Sequence, residues 1–179
     1  MPIRIIVKAP TLPNFEQNLP EAISKKTLVL AIDSVHEVMT VDLLALDTHG
    51  VRSLHREFSP KHKHDALVAT LVKEMLAKTE VTWQDLTAYA VVTGPGSWIG
   101  SRVGIAAIKA FNLVHPKPII AIHSINGMQN TSEGTGELYF ANMCELVDKK
   151  LKAGEFTIIE ELEPFYGKEY VVQKWRPKD

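Results

Sequence analysis

The chain has a single cysteine, Cys144, among its 179 residues, so no internal disulfide is available and a reducing compartment is the expectation. No apolar run approaches the ~20 residues that a spanning helix requires. The first residues lack the apolar core and small-residue cleavage site of a signal peptide. Neither charge is in excess, with 20 Lys and Arg against 21 Asp and Glu. No bulk positive field therefore draws nucleic acid, and any RNA contact is expected to be local or made through a partner. Together these absences predict a soluble, cytoplasmic globular protein with no membrane segment and a sizeable core.

What the chain does have is a glycine-rich corner. Residues 87–93 form a short, uncharged, β-branched run that predicts a buried strand. Gly94-Pro95-Gly96 then breaks it, and Ser97 is a good N-cap for a helix over residues 98–115, which Pro116 and Pro118 stop. The spacing fits neither a Walker loop, since no Lys follows Gly100, nor a dinucleotide fingerprint. Two readings stay open: an anion site at a helix N-terminus, or a turn that closes a strand–helix corner. Gly100 and Gly104 lie four apart, and Ala107, Ile108 and Phe111 continue their face. Missing side chains there admit close packing on the chain's own sheet, or a seat for a partner helix.

In chain order, residues 1–26 carry four prolines without sustained period and are expected to be an extension with one short strand at 3–7. Residues 27–33 predict a buried strand ending in Asp33, 38–46 a second, and 51–58 a third after a turn at 47–50. Ser59-Pro60 reads as a helix start, with Leu67, Leu71, Met75 and their neighbours as the apolar stripe. Thr82 to Asp85 suggests one capped turn of helix. The strand at 87–93, the glycine-started helix and a strand at 118–123 complete the order β-β-β-α-β-α-β, a mixed sheet of α/β class. Beyond residue 124 the pattern weakens: strands at 137–141, 155–160 and 168–173 and a short helix at 144–152 are expected.

Asp33 is the one carboxylate placed at a strand end like a catalytic or magnesium-holding group; the alternative is a local turn cap. The seven histidines show no i, i+4 pair of a helical metal site, so no metal is expected. Ser97 and Ser101 lie outside any Gly-x-Ser-x-Gly elbow.

Residues 27–34, 64–76 and above all 77–104 resemble the TsaB (YeaZ) proteins, non-catalytic subunits of the machinery that makes threonylcarbamoyladenosine in transfer RNA. The family's glycine-proline-glycine-serine-aromatic-threonine-glycine motif, with its following Arg and glycine, is similar to Gly94 through Gly104, with Ile99 in place of threonine. Its first-strand Asp-Thr-Ser stands as Asp33-Ser34-Val35 here, a departure that, like Ile99, removes a hydroxyl able to face a phosphate. The resemblance implies an actin/Hsp70/sugar-kinase-like lobe at 27–125, a truncated second lobe at 126–179 and the extension at 1–26. It implies a scaffold without catalytic residues that supports a TsaD-type catalytic paralogue in threonylcarbamoyl transfer to the adenine next to the anticodon. A TsaE-type ATPase joins the pair, tRNA is met only through the complex, and the chain alone forms a homodimer. The implied interface comprises Leu67, Leu71, Met75, Gly100, Gly104, Ala107, Ile108 and Phe111. Asp33, Ser34, Gly94, Gly96 and Ser97 are what remains of nucleotide loops, with no resident cofactor and ATP or ADP only at a complex interface. The alternatives are a small ATP-dependent enzyme or kinase-fold fragment, and a peptidase.

Overall fold

A computed structural model describes residues 27–36, 38–47, 50–59, 64–123 and 136–166. The strands β1 (Thr27–Asp33), β2 (Met39–Asp47) and β3 (Gly50–Ser59) form an antiparallel meander. On the other side of β1, β4 (Ala88–Gly94) and β5 (Ile119–His123) run parallel to it, giving the order β3-β2-β1-β4-β5. A meander and crossover strands thus share one mixed sheet, as the order of elements in the sequence predicts.

Helices α1 (His64–Thr79) and α2 (Trp98–Val114) cover one face, and α3 (Gly136–Ala153) covers the other. Strands covered on both faces need apolar residues at every position. In β1, Leu28, Leu30 and Ile32 face α1 and α2, while Val29 and Ala31 face α3. β2 likewise sends Met39, Val41, Leu43 and Ala45 forward and Leu44 and Leu46 back. Asp33 and Asp42 share the parity of the backward set, so two carboxylates point towards α3. Burial of both is complete.

Several expectations are corrected. Ser59 is the last paired residue of β3, opposite Met39, and α1 is described from His64; Pro60, the expected first helical residue, lies outside the described residues. Thr82 to Asp85 is a turn rather than a helix: Asp85 Oδ2 accepts from the amide and the hydroxyl of Thr82 at 2.8 and 2.6 Å. Residues 137–141 open α3 instead of forming a strand, because Tyr139, Met143 and Val147 recur at helical spacing against the sheet. Residues 155–160 give one antiparallel bridge, Thr157 to Ile119, and then the 3-10 turn Ile159–Glu161.

The described part of the tail packs on the five-stranded sheet, α3 on one face and Leu162 in the core on the other. The expected strands at 3–7 and 168–173 and turn residues Thr48 and His49 lie outside the described residues. No helix among the described residues is long and apolar enough to cross a membrane.

Candidate functional site

In open α/β sheets ligands bind outside the carboxyl ends of the strands, where neighbouring connections diverge. Here that place lies between the loops that follow β1 and β4. Asp33, Ser34, Gly94, Gly96 and Ser97 are brought together there, as the sequence suggests. What the structure adds is how they are filled.

Ser97 caps α2: its Oγ accepts from the Gly100 amide at 3.0 Å. Its own amide donates to the Val35 carbonyl at 2.8 Å, tying the glycine turn to the β1 loop. Ser34 Oγ donates to the Gly100 carbonyl at 2.7 Å. A Cβ on Gly96 would overlap Val35, and one on Gly100 would overlap the Ser34 carbonyl. Gly94, at φ +133°, has the Phe165 carbonyl where its side chain would be. The glycines thus admit polypeptide from two directions, and the corner reading accounts for them.

Asp33 is equally occupied. Oδ1 accepts from the Val35 amide at 3.0 Å, the turn cap that the sequence offers as an alternative. Oδ2 lies 2.8 Å from His36 Nδ1 and accepts from the Tyr139 hydroxyl at 2.6 Å. The His36 ring stands edge-on to Tyr139, with centroids 4.7 Å apart. Burial, and then the negative field of Asp33, push the Tyr139 phenol far above its ordinary range, so it stays a donor. Among the described residues no group of three His, Cys, Asp or Glu is placed to hold a metal. Tyr139→Phe removes one donor from a buried carboxylate and should cost ~1–3 kcal/mol, read as a lower urea midpoint with unchanged slope.

Behind Asp33 lies a pair that sequence reasoning missed. Asp42 in β2 forms an ion pair with Arg56 in β3, and the Arg56 guanidinium lies 3.5 Å from the Phe140 ring centroid of α3. Burial pushes the Asp42 carboxyl above its usual range, with Arg56 opposing. Burial also raises the Cys144 thiol to about 12, which leaves it protonated and unreactive. The signal was a charged residue, Asp42, in the middle of a strand whose neighbours are mostly apolar.

A third arrangement joins distant segments. Leu162 is buried in the core, and the Phe165 amide donates to the Thr93 carbonyl at 2.9 Å, laying residues 162–166 across the end of β4. His123 Nδ1 lies 2.7 Å from Thr93 Oγ1, and its ring leans on Phe165 at 5.7 Å. Burial and the Lys150 charge hold His123 below its usual range. Tyr166 then reaches the first turn of α2, where its hydroxyl accepts from Arg102 Nε at 3.2 Å.

The expected interface residues divide. Met75, Gly100, Gly104 and Ile108 are buried against the chain's own sheet and core, so the glycine face points inward and not to a partner. Leu67, Leu71, Ala107 and Phe111 are half-buried where α1 and α2 pack together. The outward face of α2 is a different one. Ile99, Ala106, Ala110 and Leu113 align there, with Ile99 68% and Leu113 80% exposed, while Val103 at its edge is half-buried against the core. The outward and the buried faces are both apolar, which hides from the sequence which of them looks out.

The family model of TsaD, tRNA N6-adenosine threonylcarbamoyltransferase, matches residues 57–150, just over half of the chain. A protein of that name from Shouchella clausii is 40% identical over 91 residues, which cover 51% of this chain and 27% of that one. Its namesake from Streptococcus suis is 29% identical over 136 residues, 69% of this chain and 40% of that protein. Among solved structures, YeaZ from Pseudomonas aeruginosa superposes with a TM-score of 0.47 at 22% identity, covering 55% of this chain and 44% of that one. The chain spans less than half the length of these curated relatives. On the match of the family model, the chain belongs to the TsaD family.

Proposed function

We propose that the chain is a TsaB-like, non-catalytic partner subunit that supports a TsaD-type catalytic chain in threonylcarbamoyl transfer to the adenine beside the anticodon. The observation that carries this is α2, whose inner face is closed on the sheet while its outer face is apolar and exposed. A continuous apolar stripe on a surface helix is stabilised by covering it, and a second helix pair fits such a stripe. The engaged oxygens of Asp33 and the polypeptide-filled glycine turn support a scaffold over an ATP-dependent enzyme. In this reading a TsaE-type ATPase joins the pair, ATP or ADP is confined to an interface of the complex, and tRNA is met through the complex. Alone, the chain self-associates through the same stripe. The expected half-buried residues Leu67, Leu71, Ala107 and Phe111 border the stripe and complete the surface.

Ile99→Glu and Ala106→Glu place a charge on that outer face without entering the core. Each is expected to keep the wild-type melting temperature and lose co-purification with a TsaD-type protein from the same source, by about a hundredfold or more in affinity. A charged stripe that still binds the catalytic chain at wild-type strength would sink the reading.

A further inference from the structure

One end of the stripe carries a built polar group. The Arg102 guanidinium stacks on the Trp98 ring at 3.6 Å from its centroid, and Nε is committed to the Tyr166 hydroxyl. Trp98 and Tyr166 themselves lie 6.4 Å apart, ring to ring. Tyr166 is anchored through Phe165 and Leu162, so the C-terminal segment sets the direction in which Arg102 points. The two terminal amino groups of Arg102 have no partner among the described residues, and the side chain is exposed. A stacked guanidinium with a free fork presents the planar edge that a carboxylate meets bidentately.

We propose, resting on the partner reading above, that Arg102 is the polar anchor of that surface and takes a carboxylate carried beside the apolar stripe of a partner helix. Charge complementarity argues for it: α2 contains Arg102 and Lys109 and no acidic residue. These two cations are seven residues apart, so they line the same flank of the stripe formed by Ile99, Ala106 and Leu113. The matching helix has an apolar stripe edged by Asp or Glu. A phosphate of RNA fits the fork equally well, but it would leave Ile99, Ala106 and Ala110 in water. A helix covers them, and that difference favours protein.

The test uses the full chain titrated with the TsaD-type chain, with melting temperatures measured on every variant. Arg102→Lys keeps the charge and loses the fork, and should weaken binding about tenfold. Arg102→Glu should weaken it about a hundredfold or more and reverse the salt dependence. Tyr166→Phe removes only the hydroxyl that aims Arg102 and should cost a smaller factor, about threefold, with a flatter salt dependence. All are expected to melt with the wild type. If Ile99→Glu abolishes binding while both Arg102 variants bind normally, the anchor is overturned and the partner reading stands. If none of these variants affects binding, both fall. Normal assembly of the Arg102→Glu complex with loss of its tRNA affinity assigns the fork to phosphate, which also overturns the proposal.

Discussion

Gly100→Ala is expected to melt about 6–12 °C below the wild type, the shift that ~3 kcal/mol gives in a chain of this size. The added methyl would overlap the carbonyl of Ser34, which is backbone and cannot swing aside. That carbonyl belongs to the same loop whose Ser34 hydroxyl and Val35 carbonyl already bond the turn and the start of α2. Pushing the helix away therefore breaks those bonds as well as the packing. Gly104→Ala meets softer neighbours, Ser34 Oγ and the Val91 side chain, and should lose less. Ala110→Leu, on the outward face, should melt with the wild type. Calorimetry on the three variants decides between a packed glycine face and an exposed one. Wild-type melting of Gly100→Ala would overturn the inward assignment.

The glycine spacing itself was legible in the sequence, and so was the helix that bears it. Its direction was not. With Ile99, Val103, Ala106 and Ala110 as apolar as Ile105 and Ile108, periodicity gives no contrast between inside and outside. Contrast returns where one face is polar. β1 and β4 were legible because unbroken apolar runs with β-branched residues have one comfortable place, a sheet covered on both sides. The opening of α3 was misjudged for the opposite reason. Leu138 to Ala141 is a short apolar run that suits strand or helix alike, and only its continuation through Met143 and Val147 distinguishes them. The chemistry of Asp33 was half legible. A strand-end carboxylate was visible, but its partner Tyr139 lies 106 residues away, beyond any local pattern.

Arg56→Ala should be among the most damaging single changes on the α3 side of the sheet, costing ~3–5 kcal/mol at neutral pH. It removes the cation paired with Asp42, whose side chain is fully buried, and it also strips the cation from the Phe140 face. The pH dependence gives this loss a sign. Burial raises the folded-state pKa of Asp42 above the ordinary carboxylate range, so the folded state holds its proton to higher pH than the unfolded chain. Stability from this group is therefore present at low pH and declines as pH rises from the unfolded value through the folded one. In the wild type Arg56 opposes the rise; without it the folded pKa moves further up and the window widens. The Arg56→Ala deficit should accordingly shrink as pH falls from about 7 to about 5, measured as the difference in urea midpoints from wild type. Asp42→Asn in the same background should remove that pH dependence, because no charge is left to bury. Replacing the pair together, as Asp42→Leu with Arg56→Met, keeps volume and removes both desolvation costs. That double variant is expected to match or exceed the wild type, as buried pairs replaced by apolar groups commonly do. A deficit in Arg56→Ala that stays constant with pH would show that lost packing on Phe140, and not the unpaired carboxylate, carries the effect.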